Sequence, residues 1–178
     1  ILFLKPDTAI LLKKQPFFIP DFSDQIHYEV EVLVKINRIG KYIDRKYAHK
    51  YYDEIGLGID FTARDLQSDL KAKGLPWSTA KSFYASAPVS KILTLSDIEA
   101  SDNCYIQLLR NGNIVQKGNT SDMQHSVESL IAYLSQVFRL RKGDCIFTGT
   151  PSGVGEVKAG DKLVASLDHK ISLEIEIE

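Results

Sequence analysis

The sequence predicts an α+β protein built mostly from antiparallel, layered β-sheet with few helices. Three observations carry that expectation. Short apolar runs with period-two alternation outnumber segments with helical spacing. Asn111-Gly112 sits between two such runs as a hairpin turn, and the chain closes on the alternating ISLEIEIE. No repeat, low-complexity tract or linker divides the 178 residues, so one domain spanning 1–178 with one sizeable core is expected.

In chain order, Pro6, Pro16 and Pro20 punctuate short apolar runs over the first forty residues, which read as strands. The segment from Ile26 to Ile39 puts Val30, Val32, Val34 and Ile36 on one face, expected to be core, and Glu29, Glu31, Leu33 and Lys35 on the other. A helix is expected from about Arg45 to Asp53, and the glycine-bounded IGLGIDF (Ile55 to Phe61) reads as a short buried strand. TARDLQSDLKAKGLP follows as a helix, with Thr62 as its N-cap and Gly74 and Pro76 as its stop. From Asp102 the pattern returns to strands around the Asn111-Gly112 turn. Met123, Val127, Leu130, Ile131, Leu134 and Phe138 then fall at helical spacing after a Thr or Ser cap, an amphipathic helix for one face of the sheet. GDCIFTGTPSGVG and AGDKLVAS each add a strand with glycine turns before the terminal alternation.

With 44% hydrophobic and 25% charged residues the chain has an ordinary globular profile. Its 22 basic and 23 acidic residues nearly cancel without runs of either sign, so neither nucleic acid nor a membrane is expected as a partner. Cys104 and Cys145 are far apart without metal-type spacing, which fits reduced thiols in a cytoplasmic protein and excludes zinc bound through sulfur. No apolar run approaches the roughly 20 residues of a membrane helix, and ILFLKPDTAILL lacks the marks of a signal peptide, so a soluble protein is expected.

Glu29 and Glu31, in IHYEVEV, stand two apart in an apolar strand, so both carboxylates point the same way, about 6 to 7 Å apart along the chain. The same spacing recurs in LEIEIE, where Glu174, Glu176 and Glu178 read as a solvated face beside the terminus, so spacing alone identifies nothing. What distinguishes the earlier pair is a third acid, Asp60, between Ile59 and Phe61. Buried together, three carboxylates repel and stay protonated unless a cation shares the site. Oxygen-only ligands suit a hard dication, Mg2+ first and Mn2+ or Ca2+ next. A solvated or salt-bridged acidic face is the competing reading, and spacing leaves both open. His27 is read as turned to the opposite face from Glu29, and His49, His125 and His169 have no company that makes a nucleophilic dyad.

HYEVEV, GIDFTARDLQ, KGLPWSTAKSF, NGNIVQKGNTSDM and GDCIFTGTPSGVG, in this order over residues 26 to 155 and preceded by FLKPDTA, resemble the fumarylacetoacetate hydrolase family. The resemblance implies the layered β-sheet roll of that family's C-terminal domain. It implies Glu29, Glu31 and Asp60 as ligands of Mg2+ or Mn2+, Arg64, Gln67 and Thr150 as substrate-binding residues, and Lys81 as the active-site lysine. That ammonium would pair with substrate oxygens or with developing negative charge. Plainer readings stand beside these: an exposed helix face for Arg64 and Gln67, a surface lysine at 81, and a tight turn over Gly149 to Gly155 that leaves Thr150 incidental.

The activity implied is that of a metal-dependent hydrolase or lyase acting on a small 2-keto acid. Its first form is hydrolysis of a carbon–carbon bond in an acylpyruvate-like 2,4-diketo acid through a metal-stabilised enolate. Oxaloacetate decarboxylation and hydroxymuconate-type isomerisation or decarboxylation are alternatives on the same scaffold, and a homodimer is implied. Outside the enzymes, the alternative is a β protein that binds metal structurally. In similar proteins a His and a Glu on an N-terminal lid activate the hydrolytic water. No such pair precedes FLKPDTA in these 178 residues, and a lid upstream of Ile1 is expected to carry it. Two departures bear on substrate preference: Ser82-Phe83-Tyr84 follows Lys81 where the family usually shows Phe then Asp, and a glycine expected near Ser90 is absent.

Overall fold

The computed structural model describes residues 1–11, 15–98 and 103–178, and strands dominate it. The opening stretch holds less strand than its apolar runs suggest. Among the described residues, a 3-10 turn at Asp7–Ala9 is followed by β1 (Ile10–Leu11), and Phe17 makes an isolated parallel bridge to Ile177. Pro6, Pro16 and Pro20 lack the amides that a longer ladder would need. β2 (Ile26–Tyr28) and β3 (Val30–Ile36) replace the one strand expected there, parted at Glu29.

A 3-10 helix at Arg45–Lys50 is shorter than the helix expected, because β4 (Tyr52–Ile59) begins at once. The side chain of Asp44 caps it, accepting from the Lys46 amide at 3.1 Å. β5 (Thr62–Ala63) draws Thr62 into a ladder with His27, so Thr62 is not a helix cap, and α1 (Arg64–Ala72) starts from Ala63 without a side-chain cap. Gly74 ends it at φ 65°. α2 (Ser78–Lys81), β6 (Ala87–Pro88) and β7 (Leu93–Thr94) follow.

The expected onset of strand at Asp102 lies outside the described residues. β8 (Tyr105–Arg110) and β9 (Asn113–Asn119) form the hairpin, with Asn111 at φ 52° and Gly112 at φ 81°, as a type I′ turn requires. α3 (Val127–Val137) begins after Ser126, whose hydroxyl accepts from the Ser129 amide at 3.3 Å, and Met123 stays outside the helix. β10 (Cys145–Phe147), β11 (Gly155–Glu156), β12 (Lys162–Leu167) and β13 (Ile171–Glu176) complete the chain.

The strands assemble as β10-β3-β4-β7, β11-β2-β5 and β13-β12-β8-β9, all antiparallel, with β1 and β6 paired in parallel. This is the α+β, mostly antiparallel architecture that the alternation predicts. On β13, Leu173 and Ile175 face the core while Glu174 and Glu176 face out, as expected. β3 differs, since Leu33 is buried along with Val30, Val34 and Ile36, so both of its faces are covered. That covering matters because Glu31 belongs to the second face. The β3–β4 register sets Glu31 against Gly58 and Val30 against Ile59, which brings Glu31 and Asp60 to one end of the sheet. The Phe147 ring fills the space where a Cβ at Gly58 would stand.

Candidate metal centre

Glu29 occupies the break where the chain leaves the sheet of β2 and enters that of β3, and Asp60 follows β4 directly. The Asp60 amide donates to the Glu29 carbonyl at 2.8 Å, so the backbone itself pins these two acids together. One carboxylate oxygen from each of Glu29, Glu31 and Asp60 lies within 4.8 Å of the other two. The three residues are 9%, 6% and 1% exposed. An all-oxygen acidic triad of this shape can bind a hard divalent cation.

Cationic side chains stand against the triad. Lys81, 2% exposed at the end of α2, donates to Glu29 Oε2 at 2.8 Å, to Asp60 Oδ2 at 2.5 Å and to Thr62 Oγ1 at 2.6 Å. It is therefore neither a surface lysine nor directed away from the acids. Arg64, on the first turn of α1, bonds Glu29 Oε1 through Nη2 and Gln67 Oε1 through Nη1. Both helix residues thus face the site, and the exposed-face reading does not describe them.

Lys5, which sequence reasoning missed, lies with its ammonium 2.8 Å from Asp60 Oδ1. It also donates to Ser86 Oγ at 2.8 Å, to the Ser86 carbonyl at 3.2 Å and to the carbonyl of Lys81. A lone lysine between Leu4 and Pro6 in an apolar run was the signal available for it.

Asp60 Oδ1 is buried, and the Lys5 ammonium 2.8 Å away is its partner. Glu31 makes no ion pair among the described residues, and its carboxylate accepts from the Gly149 amide at 2.6 Å. Burial, with the Asp60 charge adding to it, pushes Glu31 up to about 8. Burial also raises Asp60, against the pull of Lys5 and Lys81. At Glu29 burial acts upward, but Lys81 and Arg64 outweigh it and hold the group below its usual range. A buried acid without a cation of its own, set against two more carboxylates, is the arrangement a dication fits. Glu29, Glu31 and Asp60 are the residues that would hold it.

The Thr150 hydroxyl donates to the Val30 carbonyl at 2.8 Å and accepts from Gln116 Nε2 at 2.8 Å. Gln116 is buried and also accepts from the Val30 amide at 3.0 Å, so the side chain locks the 149–151 loop to β3. Thr150 lines a cleft of about 590 Å3, together with Lys117, His125, Thr148 and Gly149. His27 does not turn away from Glu29. Its Nδ1 accepts from Arg64 Nε at 3.3 Å, and the same guanidinium bonds Glu29. Burial and then the Arg64 charge lower its pKa, which suits a neutral acceptor.

The model of the fumarylacetoacetate (FAA) hydrolase C-terminal family matches residues 1–178. The mitochondrial oxaloacetate tautomerase of Rattus norvegicus is 39% identical over 178 residues, covering 100% of this chain and 80% of its own. The mitochondrial oxaloacetate decarboxylase of Dictyostelium discoideum is 40% identical over 177 residues, 97% of this chain and 81% of its own. A crystal structure of fumarylpyruvate hydrolase from Pseudomonas aeruginosa, in complex with Mn2+ and pyruvate, superposes with a TM-score of 0.94 at 31% identity. It covers 98% of this chain and 77% of that one.

Proposed function

The chain belongs to the fumarylacetoacetate hydrolase family and is an enzyme of it, and from that premise we propose that it tautomerises or decarboxylates oxaloacetate or a closely related small 2-keto diacid. The observation that carries the reading is the convergence of three buried carboxylates with Lys81 and Arg64 at their edge. Oxaloacetate takes precedence over acylpyruvate because the relatives near 40% identity carry oxaloacetate in their names. Hydrolysis of an acylpyruvate is the second reading, favoured by the likeness to the fumarylpyruvate hydrolase.

A bound Mg2+ or Mn2+, which Glu29, Glu31 and Asp60 would hold, would supply Lewis acidity to the keto acid. The chain's own groups do the rest. Arg64 has five N–H donors, of which three are committed to His27, Gln67 and Glu29, and the remaining pair serves a substrate carboxylate. Lys81 Nζ stands against two of the ligands and supplies positive charge and a proton to carbon 3 or the enol oxygen. In tautomerisation of the enol to the ketone, Lys81 Nζ gives a proton to carbon 3 and the enol hydroxyl gives one up to water. The amine regains its proton from water, so no net proton is gained or lost. In decarboxylation CO2 leaves carbon 3 and the proton is delivered there. Gln116 and Thr150 hold the loop whose Gly149 amide steadies Glu31.

A homodimer belongs to the same proposal and is checked by mass in solution. Among the described residues no helix is long and apolar enough to cross a membrane. Two reduced thiols suit either the cytoplasm expected or a mitochondrial compartment such as the rat relative's name gives. The functional test follows oxaloacetate tautomerisation and decarboxylation beside acetylpyruvate hydrolysis, with Mg2+, with EDTA and in Asp60→Ala. Oxaloacetate turnover that disappears in the last two conditions is expected. Turnover that persists in EDTA overturns the reading.

A further inference from the structure

Among the described residues Arg64 is the arginine that reaches the triad, and the His27 side chain meets it. Its Nδ1 lies 3.3 Å from Arg64 Nε. The same guanidinium engages Gln67 through Nη1 and Glu29 through Nη2. Three acceptors therefore surround one planar group, one to each nitrogen. Arginine has several rotatable bonds whose freedom is lost when it is fixed, so a planar fork is oriented only where each edge is met. Glu29 and Gln67 can hold the terminal nitrogens while the group still pivots about the line joining them. The third contact, at Nε, removes that pivot.

Local structure explains why His27 is there. β2 pairs with β5 in the register His27 to Thr62, which places the imidazole beside the residues that open α1. The Arg64 amide donates to the Gln25 carbonyl at 2.7 Å, so the start of α1 and the start of β2 form one unit.

We propose that His27 is a positioning residue that acts through Arg64: by accepting the Nε proton it fixes the guanidinium so that one N–H on each terminal nitrogen faces substrate. The inference rests on the reading of Arg64 as a substrate-binding group. Its consequence falls on substrate affinity, because the contacts between Lys81 and the acids do not pass through His27.

The test uses His27→Leu, His27→Asn, Arg64→Leu and the double variant His27→Leu/Arg64→Leu, each assayed with oxaloacetate and Mg2+. Asparagine keeps an acceptor oxygen close to the Nδ1 position, and leucine does not. A hydrogen bond to a charged donor corresponds to about a tenfold effect or more. His27→Leu is expected to raise KM about tenfold with a smaller change in kcat, and His27→Asn to recover most of it. In the Arg64→Leu background, His27→Leu is expected to add nothing.

A readout independent of turnover is the Nε–H resonance of Arg64 in nitrogen-15 arginine-labelled protein, assigned by its loss in Arg64→Lys. It is expected to be protected from exchange in the parent and in His27→Asn, and lost in His27→Leu. Additive effects in the double variant, or protection that survives in His27→Leu, overturn the role of His27. Absence of oxaloacetate and acetylpyruvate turnover in the parent overturns the functional reading instead, and the resonance still decides the histidine.

Discussion

The Lys81 ammonium lies 2.5 Å from Asp60 Oδ2 and 2.8 Å from Glu29 Oε2, so a lysine expected to serve substrate shares its charge with two of the three acids. The cation and a bound metal thus compete for the same oxygens while both favour their ionised form. Lys81→Met is expected to lower oxaloacetate turnover by about 100-fold or more, the scale of losing a charge-stabilising group. Mn2+ affinity is expected to hold or tighten. Removing one partner of a buried pair costs about 3 to 5 kcal/mol, so the metal-free variant melts lower and regains stability on adding Mn2+. Titration calorimetry and thermal melts check this, and weakened Mn2+ binding would count against it.

Glu31 gives the metal-free protein a pH dependence with a definite sign. A carboxyl whose folded pKa is about 8 against an ordinary 4.5 binds its proton more tightly when folded. Its contribution is fully present below pH 4.5 and is lost as pH rises toward 8, by a few kcal/mol in all. Glu29, held low, works oppositely and only in more acid solution. Urea midpoints in EDTA are therefore expected to fall from pH 5 to pH 8, and Mg2+ uptake at pH 7 to release a proton. A midpoint that rises across that interval refutes the assignment.

Gly149 donates its amide to Glu31 from a backbone at φ 102°, beyond the region where L-residues sit easily. Space around it is open, so Gly149→Ala isolates the conformational effect. The substitution is expected to cost about 1 to 3 kcal/mol and to weaken Mn2+ binding as the amide turns from Glu31. Unchanged melting and binding would show the turn tolerates a side chain.

A methyl at position 58, which pairs with Glu31 across the β3–β4 ladder, meets the Phe147 ring. Gly58→Ala is expected to destabilise by about 1 to 3 kcal/mol and to reduce turnover. Phe147→Leu added to it is expected to restore part of both, measured by denaturation and oxaloacetate assay. Additivity of the two substitutions would argue against the clash.

The acids were legible because a carboxylate in an apolar run is costly unless something offsets its charge, and the Asn111-Gly112 hairpin was legible because its turn demands two positive φ values. Lys5 and Gln116 were not, since the groups that define them lie 81 and 86 residues away along the chain. Thr62 was misassigned because ladder formation with His27 outcompeted a local cap. The placing of His27 failed on parity, which the sequence did contain: positions 27, 29 and 31 alternate together.

The bond from Gly149 to Glu31 joins segments 118 residues apart. Closing so long a loop is entropically slow, and local helices or hairpins form well before it. Recovered catalysis after dilution from denaturant should therefore trail the return of far-ultraviolet ellipticity. Enzymatic competence is, in this molecule, a clock for the last stage of chain assembly.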